Sequence, residues 1–215
     1  MGRGQILSID QGTTNTKALL LDGQGRILRR ASRPMQLHCP QPGWIEQDAS
    51  ALWASVREVI EEILAAPGAS DLAALAITNQ RESVVVWDRA TGRPLGPCVI
   101  WQCRRTAPFC AELRRSGNAA AILEKTGLGV DPLFSATKAR WLLEQIPAGL
   151  RRAESGELCV GTVDSWLLFH LTAGAAHACD TTNASRTQLM NLDSFAWDPD
   201  LIDWFGVPRP ALPAI

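Results

Sequence analysis

Apolar residues in the first third of the chain come in short strand-like runs. Ile6, Leu7 and Ile9 read as a buried strand, Lys17 to Asp22 as its return and Ile27 to Arg33 as a third. Asp22-Gly23-Gln24-Gly25 turns between the last two, so the chain opens as an antiparallel meander. After the Pro and Gly of "CPQPGWIEQD", Asp48 can cap a helix whose apolar residues Leu52, Val56, Val59, Ile60 and Ile63 recur at helical spacing, and Pro67-Gly68 stops it. "LAALAIT" (72–78) then reads as a buried strand, "SVVVWD" (83–88) as another and "CVIWQ" (98–102) as a third. From Thr106 the pattern turns helical, with Thr106 and Asn118 as N-cap candidates, Gly117 and Gly127 past helix ends, and a helix over Ser135 to Gln145 closed by Pro147. "LCVG" (158–161) reads as a short strand leading through Thr162 into the helix "VDSWLLFHL". Asp198-Pro199 opens a last helix ended by Gly206, and "VPRPALPAI" reads as a connector leaving a domain. Strands and helices mix, which makes the class α/β.

Composition narrows the function classes. With 46% hydrophobic and 20% charged residues in 215, the chain can bury a sizeable core. A net charge of -1 offers no electrostatic footprint for nucleic acid. No apolar run approaches the ~20 residues of a membrane span, and the amino terminus enters a strand at once with no signal-peptide pattern, so the expected location is the cytoplasm. Six scattered cysteines form no C-x-x-C pair and only three histidines accompany them, a pattern of reduced or buried thiols with no zinc framework.

Two stretches carry candidate chemistry. In "ILSIDQGTTNTKALLLD" (6–22), Asp10 ends one apolar run and a second follows after small polar residues. A Walker loop or dinucleotide fingerprint places its glycines before a helix, whereas here a strand follows. Asp10 beside hydroxyls and exposed amides suits metal and phosphate oxygens. An ordinary hairpin also needs only two to five polar turn residues, so spacing leaves both readings open. In "NQRES", Arg81 and Glu82 follow a strand directly, where open α/β sheets collect ligands. They fit a solvated turn equally well. An Arg donor beside a Glu acceptor, with Trp101 as a wall against a carbon chain, is apt for a polyol. Trp87, Trp141 and Trp166 lie within apolar runs and read as core.

"IDQGTTNTKALLLD" resembles the first phosphate motif of the sugar-kinase, Hsp70 and actin superfamily. "PGWIEQD" (42–48), "ITNQRES" (77–83), "IWQCRRT" (100–106), "TGLGVDPLFSATK" (126–138), "GTVDSWLL" (161–168) and "DTTNASRT" (180–187) narrow the resemblance to the FGGY carbohydrate kinases, and within them to the glycerol kinases. The resemblance implies an actin-like ATPase (ribonuclease-H-like) domain with a mixed sheet flanked by helices, residues 1–215 being the amino-terminal domain of such a kinase. It implies ATP and Mg2+ as cofactors, with Thr13, Thr14, Asn15 and Lys17 at the nucleotide phosphates and Asp10 organising the magnesium. Many glycerol kinases carry arginine where this chain has Lys17, which keeps the charge. Arg81, Glu82 and Trp101 are assigned to the pocket for a small polyol or sugar, with Leu133 where glycerol kinases place a substrate-binding tyrosine. The chain contains no tyrosine, so Leu133 implies weaker glycerol binding, a pocket for a different small polyol or sugar, or a divergent glycerol kinase in which Phe134 and Trp101 supply the wall.

The resemblance places the general base and the adenosine pocket in a second, carboxyl-terminal domain. These 215 residues alone are therefore expected to phosphorylate nothing at an enzyme's rate. A non-catalytic nucleotide-binding regulatory or sensor domain is the alternative. Homo-oligomerisation is left open, and nucleic-acid or membrane partners are not expected.

Overall fold

The computed structural model describes residues 4–65, 67–69 and 72–215. Contacts divide the chain into two compact units, Met1–Leu37 with Ser50–Gln80 and His38–Ala49 with Arg81–Ile215. In the first unit, β1 (Gln5–Gln11), β2 (Asn15–Leu21) and β3 (Ile27–Pro34) form the expected meander. Asp22 shapes its second turn by accepting from the backbone of Gln24 and Arg26, and Gly25 supplies the left-handed residue at φ 79°. Alternate residues of β2, Thr16, Ala18 and Leu20, are buried. Leu7, Ala18, Leu20 and Ala31 form a small core with Val59 and Ile63.

The last two come from the helix that begins after β4 (Glu46–Gln47) of the second unit, α1 (Ala49–Leu64), which leads to β5 (Leu72–Asn79). β5 runs parallel to β1, giving a four-stranded mixed sheet in the order β3-β2-β1-β5. β5 is not the buried strand expected from its composition, because Leu72 to Ala76 and Thr78 are exposed. It is the sheet's edge and pairs only with β1 among the described residues. An apolar run identifies a strand but not whether both faces will be covered.

The second unit is built on a sheet in the order β4-β7-β6-β8, containing β6 (Val84–Asp88), β7 (Cys98–Val99) and, later in the chain, β8 (Leu158–Thr162). β7 is shorter than the expected 98–102. Helices α2 (Ala107–Arg115), α3 (Ala119–Thr126), α4 (Ser135–Gln145) and α5 (Gly149–Glu154) precede β8. Helix α6 (Val163–Leu171), the short α7 (Thr181–Ala184), the ribbon of β9 (Met190–Asn191) and β10 (Ala196–Trp197), and α8 (Pro199–Phe205) follow it. Asp198 caps α8 through the amides of Asp200 and Leu201.

Thr106, Asn118 and Thr162 occupy N-cap positions without a capping bond from their side chains. Thr106 bonds Thr137 instead, and Thr162 bonds Asp164. Trp87 and Trp166 are fully buried, and half-buried Trp141 packs on the core. The final segment is not a loose connector. Val207, Ala211 and Leu212 are buried, and the Pro213 and Ala214 carbonyls accept from Trp197 Nε1 and the Cys179 amide. Its prolines set a 3-10 turn that tucks apolar side chains inward.

A guanidinium pins two of the quoted motifs together. Arg105 lies between the Trp44 and Trp141 rings, 4.3 and 4.5 Å from their centroids, and donates to Glu46. Two aromatic faces and a carboxylate satisfy this buried charge.

Candidate functional site

In the first unit, residues 12–14 connect β1 to β2 as a tight hairpin. Its base is tied by the Gly12 amide to the Asn15 carbonyl at 2.9 Å and by the Met35 amide to the Thr14 carbonyl at 2.8 Å. Buried Gln11 and Gln80 brace it, with Gln80 Nε2 donating to Gln11 Oε1 at 3.1 Å and Gln11 Nε2 to the Gly12 carbonyl at 2.9 Å. Thr16 points inward, sharing a hydrogen bond with Ser55 of α1 at 2.7 Å, whereas Thr14 is exposed and Thr13 and Asn15 half-buried. Asn15 Nδ2 donates to Thr14 Oγ1 at 3.2 Å.

Asp10 and Lys17 are cross-strand partners in the β1–β2 register and both are exposed. Directly opposed residues of an antiparallel pair share a face, so an ammonium and a carboxylate stand side by side at the hairpin's foot. The Asp10 carboxylate has no hydrogen bond or ion pair among the described residues. No group of three or more His, Cys, Asp or Glu gathers as a metal cage among the described residues. A lone open carboxylate fits Mg2+, which is usually held by one or two carboxylates, phosphate oxygens and water.

In the second unit, Arg81 and Glu82 form the turn that precedes β6. Arg81 is exposed, and its side chain has no partner among the described residues. Glu82 is buried, with a backbone φ of 62° in the left-handed region that disfavours a side chain. Its carbonyl accepts from Ser135 Oγ of α4 at 3.2 Å, and its carboxylate Oε1 accepts from Arg186 Nε at 2.6 Å. Ser83 Oγ accepts from the Trp101 amide at 3.3 Å, which brings the exposed Trp101 to the same turn. Leu133 lies in the loop leading to α4, where the Asp131 carboxylate accepts from its amide at 2.8 Å. Arg81, Glu82, Trp101 and the Leu133 loop thus belong to one connected neighbourhood.

Sequence reasoning missed two members of that neighbourhood. Arg186 had a signal in "NASRT", and Lys138 had one as a cation on the same face of α4 as Leu142, one turn further along. Lys138 is fully buried and donates to the Leu133 carbonyl. Burial drives its pKa down to about 7, partly opposed by the nearby Cys103 and Glu82.

This shift has a measurable consequence. Between about pH 7 and the ordinary lysine value the unfolded chain binds the Lys138 proton and the folded one does not, so stability rises with pH across that window. Lys138→Met should remove this rise. Urea midpoints at pH 7.5 and 9.5 should separate for the native chain and stay together for K138M, after allowance for groups common to both.

The fold is that of an actin-like ATPase domain, ribonuclease-H-like, with mixed sheet and flanking helices. The chain belongs to the FGGY family of carbohydrate kinases, whose N-terminal domain matches residues 5–215. It is 45% identical over 215 residues to a glycerol kinase of Symbiobacterium thermophilum, covering 99% of this chain and 43% of that protein. A glycerol kinase of Brucella ovis is 47% identical over 214 residues, again 99% of this chain and 43% of the relative. The crystal structure of Plasmodium falciparum glycerol kinase with ADP superposes with a TM-score of 0.92 at 33% identity, over 98% of this chain and 42% of that one. A ligand-bound xylulose kinase from Lactobacillus acidophilus gives 0.87 at 25% identity, over 98% and 41%. The chain therefore spans less than half the length of these relatives.

Among the described residues no helix is long and apolar enough to cross a membrane. All six cysteines are free thiols, four of them buried.

Proposed function

We propose that this chain supplies the phosphate-binding hairpin and the acceptor pocket of an ATP-dependent kinase that transfers the γ-phosphoryl group to a hydroxyl of glycerol or a closely related polyol. The observation that carries the reading is the Arg81–Glu82 turn. A strained left-handed backbone carries a buried carboxylate next in sequence to an exposed guanidinium that has no partner among the described residues, and the exposed Trp101 is tied to the same turn through Ser83. A nucleotide sensor has no use for such a pocket, and the high identity to glycerol kinases supports the polyol class.

In this reading the Thr13 and Thr14 hydroxyls, Asn15 and the hairpin amides donate to phosphate oxygens, and Lys17 adds a point charge. Asp10 would hold Mg2+, whose charge neutralises the phosphate oxygens during transfer. Glu82 accepts a hydrogen bond from a polyol hydroxyl while Arg81 donates to another, and Trp101 covers the carbon chain. Leu133 supplies apolar surface and no hydroxyl. Against a tyrosine that loss costs roughly 0.5–1.5 kcal/mol of substrate binding, which shifts affinity without forbidding the reaction.

The general base and adenosine contacts belong, in this proposal, to a further domain, so residues 1–215 alone should turn over below ~1 s⁻¹, the low end for kinases. The test is coupled ADP release by the full-length gene product with glycerol, alongside titration calorimetry with ATP. Replacing Thr13 and Thr14 together by valine should weaken ATP binding while leaving the melting temperature unchanged. Absence of glycerol-dependent ADP release, with ATP binding retained, would return the chain to a sensor role.

A further inference from the structure

Resting on the polyol reading of the Arg81–Glu82 pocket, we propose that Arg186 is a positioning residue of that site, fixing Oε1 of Glu82 so that Oε2 is left as the acceptor for a substrate hydroxyl. Arg186 Nε donates to Glu82 Oε1 at 2.6 Å across 104 positions of sequence, and the glutamate side chain is only 10% exposed. Oε2 receives no hydrogen bond among the described residues. A carboxylate whose Oε1 is held by one charge-assisted bond while Oε2 takes none from the described residues has its orientation fixed and keeps acceptor capacity for an incoming donor. A polyol hydroxyl supplies that donor.

The geometry of Arg186 is set by structure on both sides. Its guanidinium lies 5.0 Å from the centroid of the Phe134 ring. It follows α7, whose N-cap Asp180 accepts from the Asn183 amide at 2.7 Å. The neighbouring Thr187 carbonyl accepts from the Ala136 amide at 2.9 Å, and Ser135 Oγ donates to the Glu82 carbonyl. The start of α4 is therefore stitched to the Glu82 turn by one bond and to the Arg186 segment by another. Arg186 closes this loop of contacts through the one group that meets substrate. Without it the Glu82 side chain regains rotamers, and the entropy of fixing them is charged to substrate binding. Planarity matters as well, because an ammonium could match the charge but not the stacked, directional Nε donor.

The experiment is a double-substitution cycle on the full-length gene product, with binding of glycerol, erythritol and xylitol followed by calorimetry and melting temperature recorded for each variant. Arg186→Gln should weaken binding of the preferred polyol about 10- to 100-fold with ATP affinity held, and Arg186→Lys should recover part of the loss. In a Glu82→Gln background Arg186→Gln should cost nothing further, since its effect passes through the carboxylate. If R186Q lowers the melting temperature too far to be measured folded, R186K carries the same cycle. Unchanged polyol affinity in R186Q, or losses that add in the double variant, would overturn the inference while leaving the pocket reading intact. Failure of the unsubstituted protein to bind any of the three polyols would overturn both.

Discussion

Glu82→Ala in the full-length gene product should lower kcat/KM for the polyol by about 100-fold while KM for ATP changes little. A hydrogen bond to a charged acceptor contributes about 1.5–3 kcal/mol, and removing the carboxylate also strands the Arg186 guanidinium that it neutralises. Alanine keeps the left-handed backbone under the same restriction as glutamate, so the change reports on the carboxylate and not on relief of the turn. The check is steady-state kinetics with each substrate varied at saturation of the other. Equal losses for both substrates would assign Glu82 a purely structural role.

A second large effect lies in the core behind that turn. Trp87→Ala should destabilise the protein by about 3–5 kcal/mol, whereas Trp87→Phe should cost distinctly less. Trp87 is fully buried and meets Trp166, Phe169 and His177 edge-on, with centroids 5.2, 5.5 and 5.1 Å away. Its indole N–H has no hydrogen-bond partner among the described residues. Leaving such a donor dry costs about 1–3 kcal/mol, and phenylalanine removes that cost along with some of the packing. Urea denaturation of the two variants is the check. Similar losses for both would mean that the indole itself, and not the aromatic volume that phenylalanine keeps, decides stability at this position.

Much of this architecture was legible because the relevant signals are local. The β1–β2–β3 meander follows from period-two burial, and α4 and α8 from a proline beyond one end and an Asp-Pro start at the other. The hairpin at residues 12–14 was legible as a turn, and its phosphate reading became specific only through the neighbouring motifs. The exposure of β5 was hidden because its apolar run is the same whether or not anything covers it. The packing of residues 207–213 was hidden because prolines suggest departure, while burial depends on Trp197 and Cys179, which are distant in sequence. The Glu82–Arg186 pair was invisible for the same reason, since charge pairing over 104 positions leaves no periodicity. Lys138 could have been suspected, because a cation within an apolar helical run is either on a wet face or satisfied inside.

The left-handed residue at position 82 has a bearing on the choice of amino acid there. Written for backbone comfort alone, this turn would carry glycine or asparagine, and neither brings an anion. Aspartate would bring the charge with a smaller penalty, but its carboxylate sits one methylene closer to the main chain and would not span the same gap to Arg186. Glutamate is the choice that gives up about 1–2 kcal/mol of conformational ease to gain reach. The tightest specification at this position is therefore a length: how far from the main chain the negative charge must be delivered.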